Sequence, residues 1–392
     1  MCYAIPGKVT EIRDKIVTVD YFGEKRKARN DFFELKTGEY VYAQGGFVVQ
    51  RLEPGEAKEV IQTWQELFLK LKQTDDDLSQ GKNDLTQLAN SLRHKHCGNS
   101  CCVHGIIEFS NYCRNDCLYC GIRCGNFSVN RYRMTSEEII EAADFAVNEL
   151  KFKALVLQSG EDTWYTQAKL TRIIRSIISK NPALLILSIG ERDIKLYKKL
   201  YQAGARAVLL RFETSNKELY RKMRPKHVLA KRVELIRKLH KLGYLVMTGF
   251  IIGLPGQTNK DLVNDIKLAN SLNADMLSCG PFIPHQDTPL SMCNSPSLRQ
   301  SLSTISRMRI MNPEAKILVT SALESLDHGE GLKLGLLAGG NSLMINVTPR
   351  KYQELYDIYP GHSATNTSVT ERIDSVTKLL YSIGRAPIDL GL

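Results

Sequence analysis

The sequence predicts a (β/α)8 barrel of the TIM type preceded by a small all-β barrel with a helix at its C-terminal end, and three observations carry that prediction. From Gly105 to Thr348, eight strand-like apolar runs alternate with helical patterns. Such runs belong to parallel strands buried on both faces, and eight strand–helix units are the number that closes a barrel. Residues 1 to about 52 instead hold short β-like runs broken by glycine-marked turns, the pattern of hairpins. A length of 392 residues accommodates one large barrel and something smaller.

Taken in order, the first runs are VTEI, KIVTVDYF and EYVYAQGGFVVQRL, with turns at Gly23 and Gly38. The stretch EAKEVIQTWQELFLKLKQ then places Val60, Trp64, Phe68 and Leu71 three or four residues apart, which predicts a helix with one apolar face. Polar residues without apolar periodicity follow, so residues 76–83 read as a linker between a domain at 1–75 and a barrel at 84–392. The eight barrel strands are GIIEFS, ALVLQSG, LLILSIG, AVLLRFET, YLVMTGFII, DMLSCGPFI, KILVTSAL and SLMINVT. Between the first two, Thr135 and Glu138 predict a capping box at the head of a helix running through TSEEIIEAADFAVNEL.

Composition narrows the function. No run approaches the ~18 apolar residues of a membrane span, and MCYAIPGKV lacks the basic and apolar regions of a secretory signal, so the expectation is a cytoplasmic protein without a membrane partner. The net charge of +11 is spread among acidic residues, as in ERDIKLYKKLY, which predicts a solvated face rather than a nucleic-acid surface. Ten cysteines without an export signal point to metal or redox chemistry instead of disulfides.

Their spacing points to the chemistry. After the first strand, NYCRNDCLYCGIRCGN carries Cys113, Cys117 and Cys120 as C-x3-C-x2-C. Three thiolates on one loop can hold three irons of a [4Fe-4S] cluster and leave the fourth open to a chelating ligand. A zinc site is the alternative, and Cys124, four residues on, reads as a bystander. The preceding HKHCGNSCCVH contains His94, His96, Cys97, Cys101, Cys102 and His104, but its spacing matches no recognised zinc pattern and predicts local cysteines rather than a second metal site. RFE places Arg211 and Glu213 in apolar surroundings, and Arg232 opens the next helical pattern. Buried charges need partners, which an internal ion pair or a zwitterionic amino-acid ligand would supply.

The cysteine motif and the strand ends resemble the radical S-adenosylmethionine (SAM) superfamily. The resemblance implies a [4Fe-4S] cluster on Cys113, Cys117 and Cys120, with SAM chelating the open iron and being cleaved reductively to a 5′-deoxyadenosyl radical. It places Tyr119 near the adenine, Ser159 and Glu161 of QSGE by the SAM amino group, Arg211, Glu213 and Arg232 around the methionyl part, and Ile251 of GFIIGLPGQT against the adenine.

Longer segments, among them GIIEFSNYCRNDCLYCGIR, LLRFETSNKELY, GPFIPHQDTPL and NVTPRKYQELYDIYP, resemble the HydE-type maturases of [FeFe]-hydrogenase, with a BATS-like C-terminal portion. By position, Thr320, Ser321, Tyr352 and Tyr356 would face the substrate cavity. The implied partners are a small-molecule or organometallic iron substrate, an electron donor such as ferredoxin or flavodoxin, and hydrogenase maturation proteins. The chain departs from that family at Phe212, Gln286 and the tail HSATNTSV. Methylornithine synthase is a related alternative, whereas biotin synthase is disfavoured because Cys279 is the one strand-end cysteine available as a sulfur-cluster ligand.

At the N-terminus, MCYAIPGKVTEI and GEYVYAQGGFVVQRL resemble the HypC/HupF family of [NiFe]-hydrogenase chaperones. That resemblance implies an iron ligand at Cys2, although Gln44 stands where the family has its partner histidine. A non-catalytic docking scaffold is the alternative of a different class.

Overall fold

In the computed structural model, residues 5–80, 84–327, 329–362 and 367–390 are described. Strands β1 (Gly7–Arg13), β2 (Ile16–Tyr21), β3 (Glu24–Arg29), β4 (Tyr40–Gln44) and β5 (Phe47–Leu52) close into a barrel in the order β1-β2-β3-β5-β4. Val17, Val19 and Tyr21 alternate into its core. Gly23 makes the β2–β3 turn at φ +91°, a conformation that costs glycine nothing. The β3 segment EKRKAR escapes the sequence reading because Ala28 is its only fully buried residue.

Helix α1 (Pro54–Leu78) buries Ala57, Trp64, Phe68 and Leu71, while Val60 is only half-buried. The helix runs three residues into the expected linker, and residues 81–83 of that linker lie outside the described ones. Asp75 shows why the polar stretch remains ordered. Its carboxylate accepts from both Nη atoms of Arg93 on α2 (Leu85–Cys97), at 2.6 and 2.7 Å, and from Nε of Arg385 at 3.0 Å, with His94 Nδ1 at 2.7 Å. Burial opposes the charge, but the two guanidinium groups outweigh it and hold this carboxyl below its usual range.

The second barrel runs β6 (Ser100–Ser110), β7 (Ala154–Ser159), β8 (Leu184–Ser188), β9 (Ala207–Leu209), β10 (Leu245–Ile252), β11 (Met276–Pro281), β12 (Lys316–Leu318) and β13 (Ser342–Asn346), and closes where β13 pairs with β6. All eight expected strands are present and parallel. A ninth, β14 (Ala386–Pro387), adds to the lower end of β6 beside Ser100 and Cys101. β6 starts at Ser100, ahead of the expected Gly105. β9 and β12 are shorter than expected because Arg211–Glu213 and Thr320 lie past the ladder at the cavity wall. The capping box at Thr135 and Glu138 forms, and the helix it opens ends in a π turn over Phe145–Glu149.

The small barrel packs on the lower end of the large one. Phe47, Val48 and Trp64 share an apolar cluster with Leu184, Ile186, Ala207, Met247 and Met276, near the starts of the parallel strands. Gly45 leaves no room for a Cβ against Leu184 and Leu245, and Arg206 pairs with Asp31 at 3.1 Å. The opposite end, where strands give way to loops, stays open. Among the described residues, no helix is long and apolar enough to cross a membrane.

Asp75→Ala would leave Arg93 and Arg385 buried without their carboxylate, and is expected to cost about 3–5 kcal/mol. Urea unfolding followed by the fluorescence of Trp64, with Trp164→Phe as background, checks this; a loss below about 1 kcal/mol would mean that the lock is not structural.

Candidate active site

A cavity of about 590 Å³ opens at the upper end of the large barrel. Its wall begins with the loop that leaves β6, where Cys113, Cys117 and Cys120 all line the cavity. Cys124 is exposed, and its backbone N–H is tied back to the Asn115 carbonyl at 2.9 Å. Gly160, just past β7, lets the chain pass the cysteine loop, since a Cβ there would lie 2.3 Å from the Tyr112 carbonyl oxygen and 2.8 Å from Cys113 Cβ. The next N–H, that of Glu161, donates to Cys113 Sγ at 3.4 Å. Burial pushes the thiols up, Cys113 to about 11, so three thiolates here require a cationic partner.

Charged side chains from strand ends and from the helices that follow them surround this loop. Arg232 Nη1 donates to Glu191 at 2.9 Å and its Nε to the Arg211 carbonyl at 2.7 Å. Glu161 accepts from the Glu191 N–H at 2.8 Å and lies 3.6 Å from Arg232 and 3.8 Å from Arg224. Burial acts against its charge, yet Arg232, that N–H and Arg224 keep its carboxyl below the ordinary range. Arg211 and Glu213 do form an internal pair at 3.3 Å, but Glu213 Oε2 and Arg211 Nε meet no hydrogen-bond geometry, and Arg224 Nε and Nη2 are also buried without a hydrogen-bond partner. Glu213 occupies the left-handed region at φ +66°, a strained backbone that recurs at functional sites. A zwitterion would supply both signs of charge that these groups lack. Beside them Ile251, Phe282, Met223, Leu254 and Tyr119 form an apolar patch, and Arg224 Nη1 donates to the Tyr119 hydroxyl at 3.4 Å.

Residues 107–269 match the radical SAM superfamily, and residues 1–64 match the HupF/HypC family. The [FeFe]-hydrogenase maturase subunit HydE of Thermotoga maritima is 40% identical over 303 residues, 77% of this chain and 86% of that one. This chain belongs to the radical SAM superfamily. The 3-methylornithine synthase of Methanosarcina barkeri is 29% identical over 80% of this radical SAM chain and 90% of its own. A crystal structure of methylornithine synthase superposes with a TM-score of 0.68 at 28% identity, covering 82% of this chain and 97% of that one. The superfamily uses a [4Fe-4S] cluster and SAM, and the thiols and unmatched charges described above fit both.

This radical SAM protein brings together in one cavity the expected Cys113, Cys117, Cys120, Tyr119, Ser159, Glu161, Arg211, Glu213, Arg232, Ile251, Thr320, Ser321 and Tyr356. Tyr352 is placed elsewhere. It stacks on Tyr132 with ring centroids 4.8 Å apart and donates to Glu138 at 2.8 Å. The helical turn Arg350–Gln353 stops one residue later, so the four-residue spacing to Tyr356 does not put both rings on one face. Cys279 is buried in the apolar core of the barrel wall and does not line the cavity. Cys2 lies outside the described residues, and Gln44 is buried at the end of β4 beside the turn that meets the barrel floor.

The sequence reading missed Arg224, Glu108 and His362, which line the cavity, and Glu191, which pairs with Arg232 and Arg224 at its edge. Glu191 follows the third barrel strand and could have been found by position; Arg224 ends a helical stretch and carries no signal of its own. Glu108 points inward from β6 and meets His362 Nε2 at 2.6 Å, Asn346 Nδ2 at 2.9 Å and Gln158 Nε2 at 3.3 Å. Burial disfavours the imidazolium, but the Glu108 carboxylate outweighs it and raises His362 to about 10.

Two outcomes follow from this geometry. Arg232→Met and Glu213→Gln are each expected to weaken SAM binding at least about tenfold by calorimetry, one charge-assisted hydrogen bond's worth, while iron and sulfide content stays unchanged. Because His362 has a raised folded pKa, its contribution to stability is fully present below the ordinary value of 6.5 and is lost as pH rises through about 10. Urea midpoints measured across that window should fall for the native protein and flatten for His362→Gln; parallel curves would show that the pair contributes nothing.

Proposed function

We propose that this radical SAM enzyme acts in hydrogenase metallocofactor assembly, on a small or organometallic iron substrate held beneath SAM. The cavity that runs without interruption from the three cysteines to Glu108, His362, Thr320 and Tyr356 carries the reading. Likeness to the HydE maturase over 86% of that protein's length supports the choice of pathway. When bound, the cluster and SAM supply one-electron cleavage to a 5′-deoxyadenosyl radical. The chain's own residues bind and orient: Cys113, Cys117 and Cys120 hold the cluster, Arg232, Glu213 and Ser159 the methionyl end, and Tyr119 with Ile251 the adenine. Glu161, already surrounded by partners, positions Arg224 and Arg232. Thr320 Oγ1, buried and without a hydrogen-bond partner, and Ser321, whose hydroxyl is 2.6 Å from that of Tyr359, offer polar contacts to the substrate. An electron donor of the ferredoxin or flavodoxin class completes the reaction, and Cys2 in the HupF/HypC domain is a candidate iron ligand for substrate or product.

Anaerobic reconstitution with iron, sulfide and SAM, followed by mass spectrometry, tests the reading. The native protein is expected to form 5′-deoxyadenosine and to consume a maturation intermediate. Replacing Cys113, Cys117 and Cys120 together with Ala should abolish the electron paramagnetic resonance signal of the cluster and SAM cleavage, whereas Cys124→Ala should retain both. A cluster that survives the triple change sinks the assignment.

A further inference from the structure

Along β6, side chains alternate between the barrel wall and its interior. Ile106 and Glu108 line the active-site cavity, so Cys102 and His104, four and two residues before Ile106, point into the same interior nearer the floor. At ~3.3 Å per residue, His104 sits ~13 Å below Glu108. The tail then contributes a third group. β14 pairs with the start of β6, the N–H of Ile388 donates to the Cys101 carbonyl at 2.9 Å, and the carbonyl of Asp389 accepts from the N–H of Lys153 at 2.7 Å. Held from both sides, Asp389 turns its carboxylate toward His104.

The thiol of Cys102, a ring nitrogen of His104 and a carboxylate oxygen of Asp389 all lie within 4.8 Å of one another, each on a residue that is at most 2% exposed. Two features distinguish this trio from an ordinary buried network. His104 Nε2 and Asp389 Oδ2 are 3.0 Å apart, yet Oδ2 makes no hydrogen bond of acceptable geometry. His104 Nδ1 is likewise buried without a hydrogen-bond partner. Leaving two such atoms unsatisfied in a dry interior is costly, and one cation shared by the sulfur, a ring nitrogen and the oxygen would supply the carboxylate oxygen with the partner it lacks.

We propose that Cys102, His104 and Asp389 form a second metal site, separate from the cluster loop, that takes a divalent ion of zinc-like softness at the floor of the barrel. The donor set of one sulfur, one nitrogen and one oxygen is of the kind that zinc accepts. Ligand atoms on a tetrahedral zinc stand ~3.3–3.8 Å apart, between the 3.0 Å nitrogen–oxygen separation and the 4.8 Å upper limit found here. Charge also closes: a dication with the Cys102 thiolate and the Asp389 carboxylate is neutral, so burial carries no net-charge penalty. Burial, with Asp389 adding to it, keeps the Cys102 thiol protonated, so binding releases that proton to solvent as the metal–sulfur bond forms. The site clamps the C-terminal tail to the first barrel strand, in the apolar cluster where the small domain docks, since Cys102 belongs to that cluster.

The test uses the full-length protein with its [4Fe-4S] cluster in place, so that the cluster cysteines cannot compete. Zn²⁺ alone, titrated against a chromophoric chelator under anaerobic conditions, should bind at one tight equivalent per chain. In Cys102→Ala and in His104→Ala the affinity should fall at least a hundredfold with cluster iron unchanged. Absence of a tight equivalent in the native protein overturns the proposal, as does an unaltered affinity in both variants. Should those variants not fold, zinc-edge X-ray absorption of the native protein decides. One sulfur with nitrogen and oxygen neighbours supports the site, and a shell made of sulfur alone or lacking sulfur overturns it.

Discussion

Closure of the large barrel through β6 is the constraint on which the remaining structure depends. This strand pairs with β7 on one side, with β13 on the other, and with β14 at its lower end. Its upper end places Glu108 in the cavity and leads into the cysteine loop, and its lower half carries Cys102 and His104. All eleven of its residues are buried. A register slip by one residue would exchange inward and outward sets along the whole strand, so the backbone pairing that closes the barrel also decides which side chains can do chemistry.

Above the floor, the cavity is organised by charge. Glu161, Glu191 and Glu213 meet Arg211, Arg224 and Arg232 over distances from 2.9 to 3.8 Å; the glutamates and Arg211 come from strand ends and the loops after them, Arg224 and Arg232 from two helices that follow. Hydrogen bonding satisfies some of these groups and leaves others short of partners. A cavity complete in itself would have less to gain from a charged ligand, and the shortfall here is the binding energy the site holds in reserve. The cost is local strain, visible in the backbone of Glu213.

Much of this was legible in the sequence because it is local. Strand runs, helix caps and the C-x3-C-x2-C spacing are short-range patterns, and they placed eight strands and the cysteine loop. What was not legible depends on long-range closure. Asp389 reaches Cys102 and His104 from the far end of the chain, so residues that read as local cysteines and histidines around 94–104 meet a buried carboxylate only when β14 docks. The same holds for His362, brought to Glu108 by the tail, and for Arg224, whose helical context gives no sign of what it faces. Tyr352 went astray for a local reason, since a helix one turn long cannot carry a four-residue spacing onto one face. The acidic run around Asp75 looked like a linker because pattern reading treats consecutive aspartates as solvated, whereas two guanidinium groups make one of them a core residue.

That carboxylate bears on how two modules of different families can be joined in one chain. Similarity to the HupF/HypC family ends at residue 64, in the middle of α1, while the carboxylate that locks the helix to the barrel lies eleven residues further on. A join made at the family boundary would have brought Arg93 and Arg385 together with nothing between them. The helix therefore has to continue past the matched segment to carry an acid to that point, so a working join of the two modules needs the last turns of the helix as well as a shared reading frame. Exchanging the small domain for one whose helix stops short of residue 75 would leave the barrel with two buried cations and no counter-charge.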